Sequence, residues 1–332
     1  MNKHGLFSLS GLVLALGLSL SPQAAQALRV AADPLPHADI LGEVKRQDPS
    51  LDLQVIELSG GINANALLVA GDVDANYFQH VPYLRDQEKA LGTELVVAAT
   101  VHVEPLGIYS KKFKHLREVP EKAVIALPNN VTNLSRALYL LQHEGLITLK
   151  AGHEDPARDL ATVHDIATNP KALKILEIEA PQLPRSLDDV DLAVINGNYA
   201  LEAGLEPARD ALGLESAQNN PYANILVTTP ALKDDPRIRQ LARDLESRAI
   251  ADFIRKSYKG SVIPVAGLIE QALAIAIAES NLNSTAVSPK QAQGVMQLIP
   301  ETQVRFGVTR PFDAQQNIRG AMIYLKWLEK QF

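Results

Sequence analysis

The chain has 332 residues, a formal net charge of −6, 46% hydrophobic and 21% charged residues, and no cysteine. This composition is ordinary for a globular protein with a sizeable core, and the length allows two or three domains. An acidic balance without a basic tract argues against nucleic acid or an anionic membrane surface as a partner. The absence of cysteine excludes disulfides, thiolate catalysis, cysteine metal sites and lipid attachment to an N-terminal cysteine.

Residues 1–27 have the pattern of a secretory signal peptide. A weakly basic start precedes an apolar run over 6–20, which is short for a bilayer span. Ala25-Gln26-Ala27 supplies a small-x-small cleavage pattern, so we expect cleavage after Ala27; a membrane anchor is the alternative. The mature chain is therefore predicted to be exported and, without a cysteine to carry lipid, soluble in the periplasm.

Residues 28 to about 262 alternate strands and helices, which predicts an α/β fold with a largely parallel sheet. Strands are expected at 28–32, 51–58, 94–100, 123–127, 145–149, 175–178, 192–195 and 222–228. Helices are expected at 37–45, 63–69, up to 91, at 134–143, within 152–173 and as one long helix over 235–256, with a turn at 184–189. Two such units predict a two-lobed binding protein whose ligand lies between the lobes, at the carboxyl ends of strands.

An aromatic stretch, DANYFQHVPYL (74–84), stands out in a chain with only 5% aromatic residues. A turn before it and Pro82 within it indicate a strand end followed by a helix start. Phe78, His80 and Tyr83 could there form the apolar wall of a small-molecule site. A core cluster is the alternative interpretation of the same three side chains.

Polar groups are predicted near the same edge. Asn133 is expected to cap the helix over 134–143, which places Arg136 in its first turn. A ligand carboxylate there would meet backbone N–H groups and a guanidinium together. Asn196 and Asn224 add amide groups. Each residue has a structural explanation alone, but the set suits a zwitterionic amino acid with an apolar side chain, such as a thioether.

Residues 28–264 resemble the NlpA/MetQ family, the methionine-binding substrate-binding proteins of ABC importers. The matching stretches are PHADIL (36–41), DANYFQHVPYL (74–84), HVEPLGIYSKK (102–112), PNNVTNLSRAL (128–138), NPKALK (169–174), EIEAPQLPR (177–185), AVINGNYA (193–200) and YKGSVIP (258–264). The resemblance implies a two-lobed periplasmic-binding-protein fold of type II. It also implies ligand contacts at Phe78, His80, Tyr83, Arg136, Asn196 and Asn224.

The chain departs from this family at two points. Members usually carry a lipobox cysteine, which is missing here. They also tend to place a tyrosine on the loop after the second strand, where this chain has Ser59-Gly60-Gly61-Ile62. One wall of the aromatic site is therefore expected to be open or rebuilt, so a ligand bulkier than methionine, or weaker binding, is an alternative.

Residues 265–332 form a further predicted helical segment. An apolar helix over 268–278 ends at Glu279, where burial and the helix dipole would favour a protonated carboxyl able to donate to a glycosidic oxygen. A solvated glutamate is the alternative. The segment resembles the first part of the soluble lytic transglycosylase (SLT) domain, through AIAESNLNSTAVSPKQAQGVMQLIPET (276–302) and QNIRGAMIYLKWL (316–328).

That resemblance implies a role for Glu279 as acid and then base in cleaving peptidoglycan. It places Ser288, Met296 and Gln297 on the glycan groove. The family's further helices, with an AYNAG-type segment, do not follow Phe332 in this sequence. We therefore expect a partial all-α, lysozyme-like domain, below the size at which one core usually suffices.

The leading hypothesis is a periplasmic receptor that captures an amino acid, with methionine as the expected ligand, for an ABC importer permease in the inner membrane. No cofactor or metal is expected. The alternative is a peptidoglycan lytic transglycosylase with the binding lobes as a targeting or sensing module. A scaffold whose tail only grips peptidoglycan is a third possibility.

Overall fold

Two mixed β-sheets organise the computed structural model, which describes residues 27–59, 62–217 and 220–329. The strands are β1 (Leu28–Ala32), β2 (Leu53–Glu57), β3 (Ala75–His80), β4 (Val96–Val103), β5 (Gly107–Tyr109), β6 (Val124–Pro128), β7 (Thr148–Leu149), β8 (Ile166–Thr168), β9 (Lys174–Ile178), β10 (Leu192–Ile195), β11 (Gly213–Leu214), β12 (Ala223–Thr228) and β13 (Ile263–Pro264). The predicted signal peptide, apart from Ala27, lies outside the described residues.

Helices cover both faces of these sheets. They are α1 (Asp39–Gln47), α2 (Ala64–Ala70), α3 (Val81–Leu91), α4 (Val131–His143), α5 (Leu183–Ser186), α6 (Gly197–Glu202), α7 (Pro207–Asp210), α8 (Pro236–Leu245), α9 (Arg248–Tyr258), α10 (Val265–Ser280), α11 (Pro300–Arg305) and α12 (Ala314–Glu329). None of the helices in the described part of the chain combines the length and the apolar character needed to cross a membrane.

The six-stranded sheet has the order β13-β4-β12-β3-β1-β2, and the five-stranded sheet has the order β11-β5-β10-β6-β9. The expectation of a largely parallel sheet is wrong. β12 runs antiparallel to both β3 and β4, and β5 runs antiparallel to both β10 and β11. The reversal of β12 follows from its route, because it enters the first sheet from the second and so approaches from the opposite end.

Each sheet is the centre of one lobe. The first lobe contains residues 28–103 and 223–264, and the second contains 106–215, so the chain crosses between the lobes twice. Buried apolar side chains pack against both faces of each sheet, with α1, α8 and α9 on one face of the first and α4 on one face of the second. The predicted two-lobed α/β fold is confirmed.

The helix predicted over 235–256 is in fact two helices. α8 ends at Leu245, and α9 begins at Arg248 after Ser247 in an extended conformation. The Ser247 hydroxyl accepts a hydrogen bond from the backbone N–H of Ile250, as a helix-capping serine does. The amphipathic period continues through the break, which is why the hydrophobic pattern alone did not reveal it.

Other helix and strand boundaries also differ from those predicted. The helix predicted over 134–143 begins at Val131, one turn earlier, because Asn130 rather than Asn133 accepts the capping hydrogen bond. Residues 184–189 include the end of the short helix α5, and 152–173 contain a helical turn, Val163–Asp165, and β8 instead of a helix. The strand β5 was not predicted.

The tail begins with α10, which follows directly on β13 and contacts α9 and β4. The C-terminal part of the tail folds back, so that α12 packs on α10 and α11. A small apolar cluster holds it together, formed by Ala276, Val295, Met296, Leu298, Val308 and Ala321. The predicted tail helix over 268–278 corresponds to α10, and residues 330–332 lie outside the described residues.

Candidate functional site

A cavity of about 360 Å³ lies between the two lobes. Residues that directly follow strands supply much of its lining, as expected for a ligand site at strand ends. All six residues predicted to contact the ligand line this one cavity: Phe78, His80, Tyr83, Arg136, Asn196 and Asn224. The structure thus brings together side chains that are up to 146 positions apart in the sequence (224 − 78). Their contact with a ligand stays a prediction.

The aromatic residues form one connected group. The rings of Phe78 and Tyr83 meet edge to face with centroids 5.9 Å apart, and His80 lies 6.2 Å from Tyr83. His80 also contacts Tyr222 at 5.1 Å, and the Tyr222 ring in turn carries the Arg136 guanidinium 4.4 Å from its centroid. Phe78 also packs on the core beneath, so the wall is partly core and partly cavity lining.

His80 links the two lobes in a defined protonation state. Its Nδ1 accepts from the backbone N–H of Tyr83 at the start of α3, so Nε2 carries the proton and donates to Asn133 Oδ1 on the other lobe at 3.0 Å. Burial, reinforced by the charge of Arg136, lowers the pKa of His80 to about 4. The side chain therefore stays neutral at physiological pH.

This buried histidine predicts an acid-sensitive fold. The unfolded chain binds a proton at His80 below pH about 6.5, while the folded chain resists it to about 4. Stability from this residue is therefore present above pH 6.5 and is lost as the pH falls, by about 1.4 kcal/mol per unit and about 3 kcal/mol in all. We expect His80→Asn, which retains a capping side chain, to flatten the fall in unfolding free energy measured by urea titration between pH 7 and 4.

The matched control is His143→Asn, because His143 is exposed on α4. Its pH dependence should follow that of the unaltered chain. An equal slope for His80→Asn and the unaltered chain would contradict the assignment of a buried neutral imidazole at this position.

Arg136 lies in the second turn of α4, not the first, because the helix starts earlier than predicted. It lines the cavity together with Asn130 and Asn133. Its Nε and Nη2 donate to the Glu215 carboxylate at 2.9 and 2.5 Å, and Nη2 also donates to the Glu104 carbonyl at 2.8 Å. Among the described residues nothing accepts from Nη1, so two of the five guanidinium hydrogens are available to a ligand.

The two asparagines differ in which side-chain atom is free to form a hydrogen bond with a ligand. Asn196 follows β10, and its Oδ1 is buried without a hydrogen-bond partner among the described residues. Asn224 lies in β12, and its Oδ1 accepts from His37 Nε2 at 2.9 Å. Asn196 therefore offers an open acceptor, whereas Asn224 offers its amide nitrogen.

Three carboxylates that were not predicted also line the cavity, namely Asp33, Glu104 and Glu179. Each follows the last residue of a strand, β1, β4 and β9 respectively, and this position is the signal that could have revealed them. Glu104 Oε1 accepts from His102 Nε2 at 2.7 Å and from His37 Nε2 at 3.1 Å. Asp33 Oδ2 accepts from Asn198 Nδ2 of the second lobe at 2.9 Å.

Glu104 and its two histidines form a buried ion-pair network. Burial opposes the charge on Glu104, but the charges and hydrogen bonds of His37 and His102 together outweigh it and hold the pKa of this carboxyl well below its usual range. Burial likewise lowers the pKa of His37, yet the charge and hydrogen bond of Glu104 raise it overall. Burial lowers the pKa of His102. His37 is therefore the histidine whose protonated form this network stabilises, and His102 remains neutral.

His37, His102 and Glu104 have the residue types of a metal site, with one ligand atom of each within 4.8 Å of the others. Their spacing, however, is that of direct hydrogen bonds. A histidine that binds a metal almost always donates its other ring nitrogen to an acceptor. His37 Nδ1 is buried without a partner in the described part of the chain. The donor set therefore fits a hydrogen-bonded network better than a metal centre.

The candidate residues of the tail lie apart from this cavity. Glu279 is exposed in the last turn of α10, which agrees with the interpretation of a solvated glutamate and not with that of a buried one. Met296 is buried in the tail's apolar cluster. Gln297 donates to the carbonyls of Ala286 and Gly294, and the Ser288 hydroxyl accepts from the Ala292 N–H. A glycan groove at these residues stays a prediction.

Two protein families match separate parts of the chain. The model described as NlpA lipoprotein matches residues 28–266, and that described as Transglycosylase SLT domain matches 268–332. The methionine-binding lipoprotein MetQ of Bacillus subtilis (strain 168) is 43% identical over 243 residues, 71% of this chain and 87% of that protein. The D-methionine-binding lipoprotein MetQ of Escherichia coli (strain K12) is 41% identical over 228 residues, 68% and 82% of the two chains.

Solved structures agree with these similarities. A nutrient-binding protein from Burkholderia cenocepacia, determined bound to methionine, has 44% sequence identity and a TM-score of 0.68, and covers 72% of this chain and 100% of its own. A putative methionine-binding lipoprotein from Bacillus subtilis has 41% identity and a TM-score of 0.68, over 72% and 98%.

Proposed function

The chain belongs to the NlpA lipoprotein family, and we propose that it is a periplasmic receptor that captures an amino acid, with methionine as the expected ligand, for an ABC importer. One observation carries the proposal. Six side chains that suit the two ends of an amino acid line a single cavity between two lobes. The printed names of the relatives, and the methionine in the related Burkholderia structure, support the choice of ligand.

The cavity suggests how such a ligand would lie. The free Nη1 of Arg136 suits the carboxylate, because a guanidinium binds carboxylates with charge-assisted hydrogen bonds. Phe78 and Tyr83 suit the side chain, since a thioether packs well on aromatic rings. Ser59 and Ile62, in the loop without an aromatic residue, also line the cavity, which leaves room for side chains larger than that of methionine.

The experiment is titration calorimetry on residues 28–332 with L-methionine, the other standard amino acids and short peptides. We expect saturable binding, with methionine or a larger apolar amino acid the tightest. No heat with any of these ligands would remove the receptor proposal. Co-purification with an inner-membrane permease of the ABC class tests the proposed delivery step.

For the tail we propose contact with peptidoglycan, on the strength of its match to the SLT domain. Glycan cleavage with Glu279 as acid and base is the alternative. A carboxyl that protonates a glycosidic oxygen at neutral pH is typically held in an apolar pocket. Glu279 is instead exposed. Binding without turnover is therefore the function that this geometry supports better.

We accordingly expect residues 28–332 to be retained by purified cell walls in a pull-down but to leave no cleared band in a cell-wall zymogram. Glu279→Gln is the informative variant because it keeps the shape of the side chain and removes only the acid. A cleared band that disappears in Glu279→Gln would contradict this expectation and establish the enzymatic alternative.

A further inference from the structure

Two carboxylates that line the cavity, Asp33 and Glu179, have no cationic partner among the described residues, but Glu179 is exposed and only Asp33 is half-buried. Arg136 is paired with Glu215, and Glu104 is held by His37 and His102. Asp33 lines the cavity, but no cationic nitrogen of the described residues lies within 4.0 Å of its carboxylate. Its single described side-chain partner is the neutral amide of Asn198. A half-buried carboxylate without a cation is costly, so this position favours a ligand that brings a positive charge.

We propose that Asp33 accepts the ligand's α-ammonium group and thereby makes a free ammonium a requirement for binding. This inference rests on the proposed receptor function and narrows its ligand class to molecules with an unblocked amino group. Methionine carries this group, whereas N-acylated amino acids and simple carboxylic acids lack it.

The acceptor oxygens of the cavity that have no hydrogen-bond partner fit this assignment. One oxygen of Asp33 is used by Asn198, and the other has no hydrogen-bond partner among the described residues. Asn196 Oδ1 is also open, and Asn196 and Asn198 flank Gly197 at the start of α6. An ammonium group has three donors to distribute over such acceptors.

Glu104 is the rival carboxylate, and its bonding argues against it. Its Oε1 already accepts from two imidazoles, at 2.7 and 3.1 Å. Its other side faces the second lobe, where a Cβ added at Gly197 would lie 2.8 Å from the Glu104 Cβ. Burial raises the pKa of Asp33, with the charges of His37 and Glu104 acting in opposite directions. A nearby ammonium would offset that burial cost at Asp33, whereas His37 already offsets it at Glu104.

The test combines one substitution in the protein with one change in the ligand, so that each protein is measured with each ligand. Residues 28–332 and the Asp33→Asn variant are titrated with L-methionine and with 4-(methylsulfanyl)butanoate, which is methionine without its amino group. We expect removal of the ammonium to weaken binding to the unaltered chain about hundredfold, as for a lost hydrogen bond to a charged partner. In Asp33→Asn the same removal should cost less than about tenfold.

Asn198→Ala is the matched control because it removes the bond between the lobes and keeps the Asp33 carboxylate. It should weaken both ligands by the same factor. If Asp33→Asn also weakens both equally, the inference is overturned and the receptor proposal stands. If the unaltered chain binds neither methionine nor any other amino acid or short peptide, both fall. Asp33→Thr serves in the same cycle if circular dichroism finds Asp33→Asn unfolded.

Discussion

Replacing Arg136 and Glu215 together by glutamine is expected to weaken methionine binding by at least about hundredfold while the chain still folds. The guanidinium is the cation of the cavity with hydrogen-bond donors still open among the described residues, at Nη1. Without it the ligand carboxylate would be desolvated with no charged partner. Glu215 is changed as well because its carboxylate is only 16% exposed and depends on this arginine.

The paired design matters for the interpretation. Arg136→Ala alone would leave the Glu215 carboxylate without its cationic partner and cost about 3–5 kcal/mol of stability. Lost binding could then reflect lost folding. The control is Arg239→Gln with Asp234→Asn, an exposed ion pair on the first lobe. It should bind methionine like the unaltered chain. Calorimetry that finds the Arg136/Glu215 variant within about threefold of normal affinity would contradict the proposed carboxylate site.

Glu104→Ala is expected to lower the free energy of unfolding by about 3–5 kcal/mol at pH 7, because it leaves the His37 charge buried without its partner. Glu104 lies where the chain first crosses between the lobes, and its backbone carbonyl also receives Arg136. The loss should appear as a lower urea midpoint with an unchanged slope, since the same surface is exposed on unfolding.

Glu104→Gln combined with His37→Gln is the companion variant, since it removes both charges and retains side chains able to hydrogen-bond. It should recover much of the lost stability, because a removed buried pair costs less than a broken one. A Glu104→Ala variant that loses less than about 1 kcal/mol would indicate that no buried ion pair exists here.

The sequence predicted best what depends on short buried runs. β1 and β10 begin and end where expected, because each is a purely apolar or nearly apolar run that a polar residue, Asp33 or Asn196, terminates. Polar residues that directly follow strands also supply part of the cavity lining. A search for such residues after every strand would also have found Asp33 and Glu104.

The side-chain environments that the sequence did not reveal depend on partners distant in the sequence. Arg136 was expected to present its guanidinium to a ligand carboxylate, but Glu215, 79 residues away, already accepts two of its hydrogen bonds. For Glu279 the apolar helix before it left a buried and a solvated carboxyl both open, and in the structure this side chain is exposed. Local hydrophobic pattern does not reveal which side chains another element will cover, and both points follow from that limit.

The most direct test is a crystal structure of residues 28–332 with L-methionine. We expect one methionine between the lobes, with its carboxylate within hydrogen-bonding distance of Arg136 Nη1 and its side chain against Phe78 and Tyr83. Methionine bound elsewhere on the chain, with this cleft occupied by solvent alone, would contradict the assignment of the cavity as an amino-acid site.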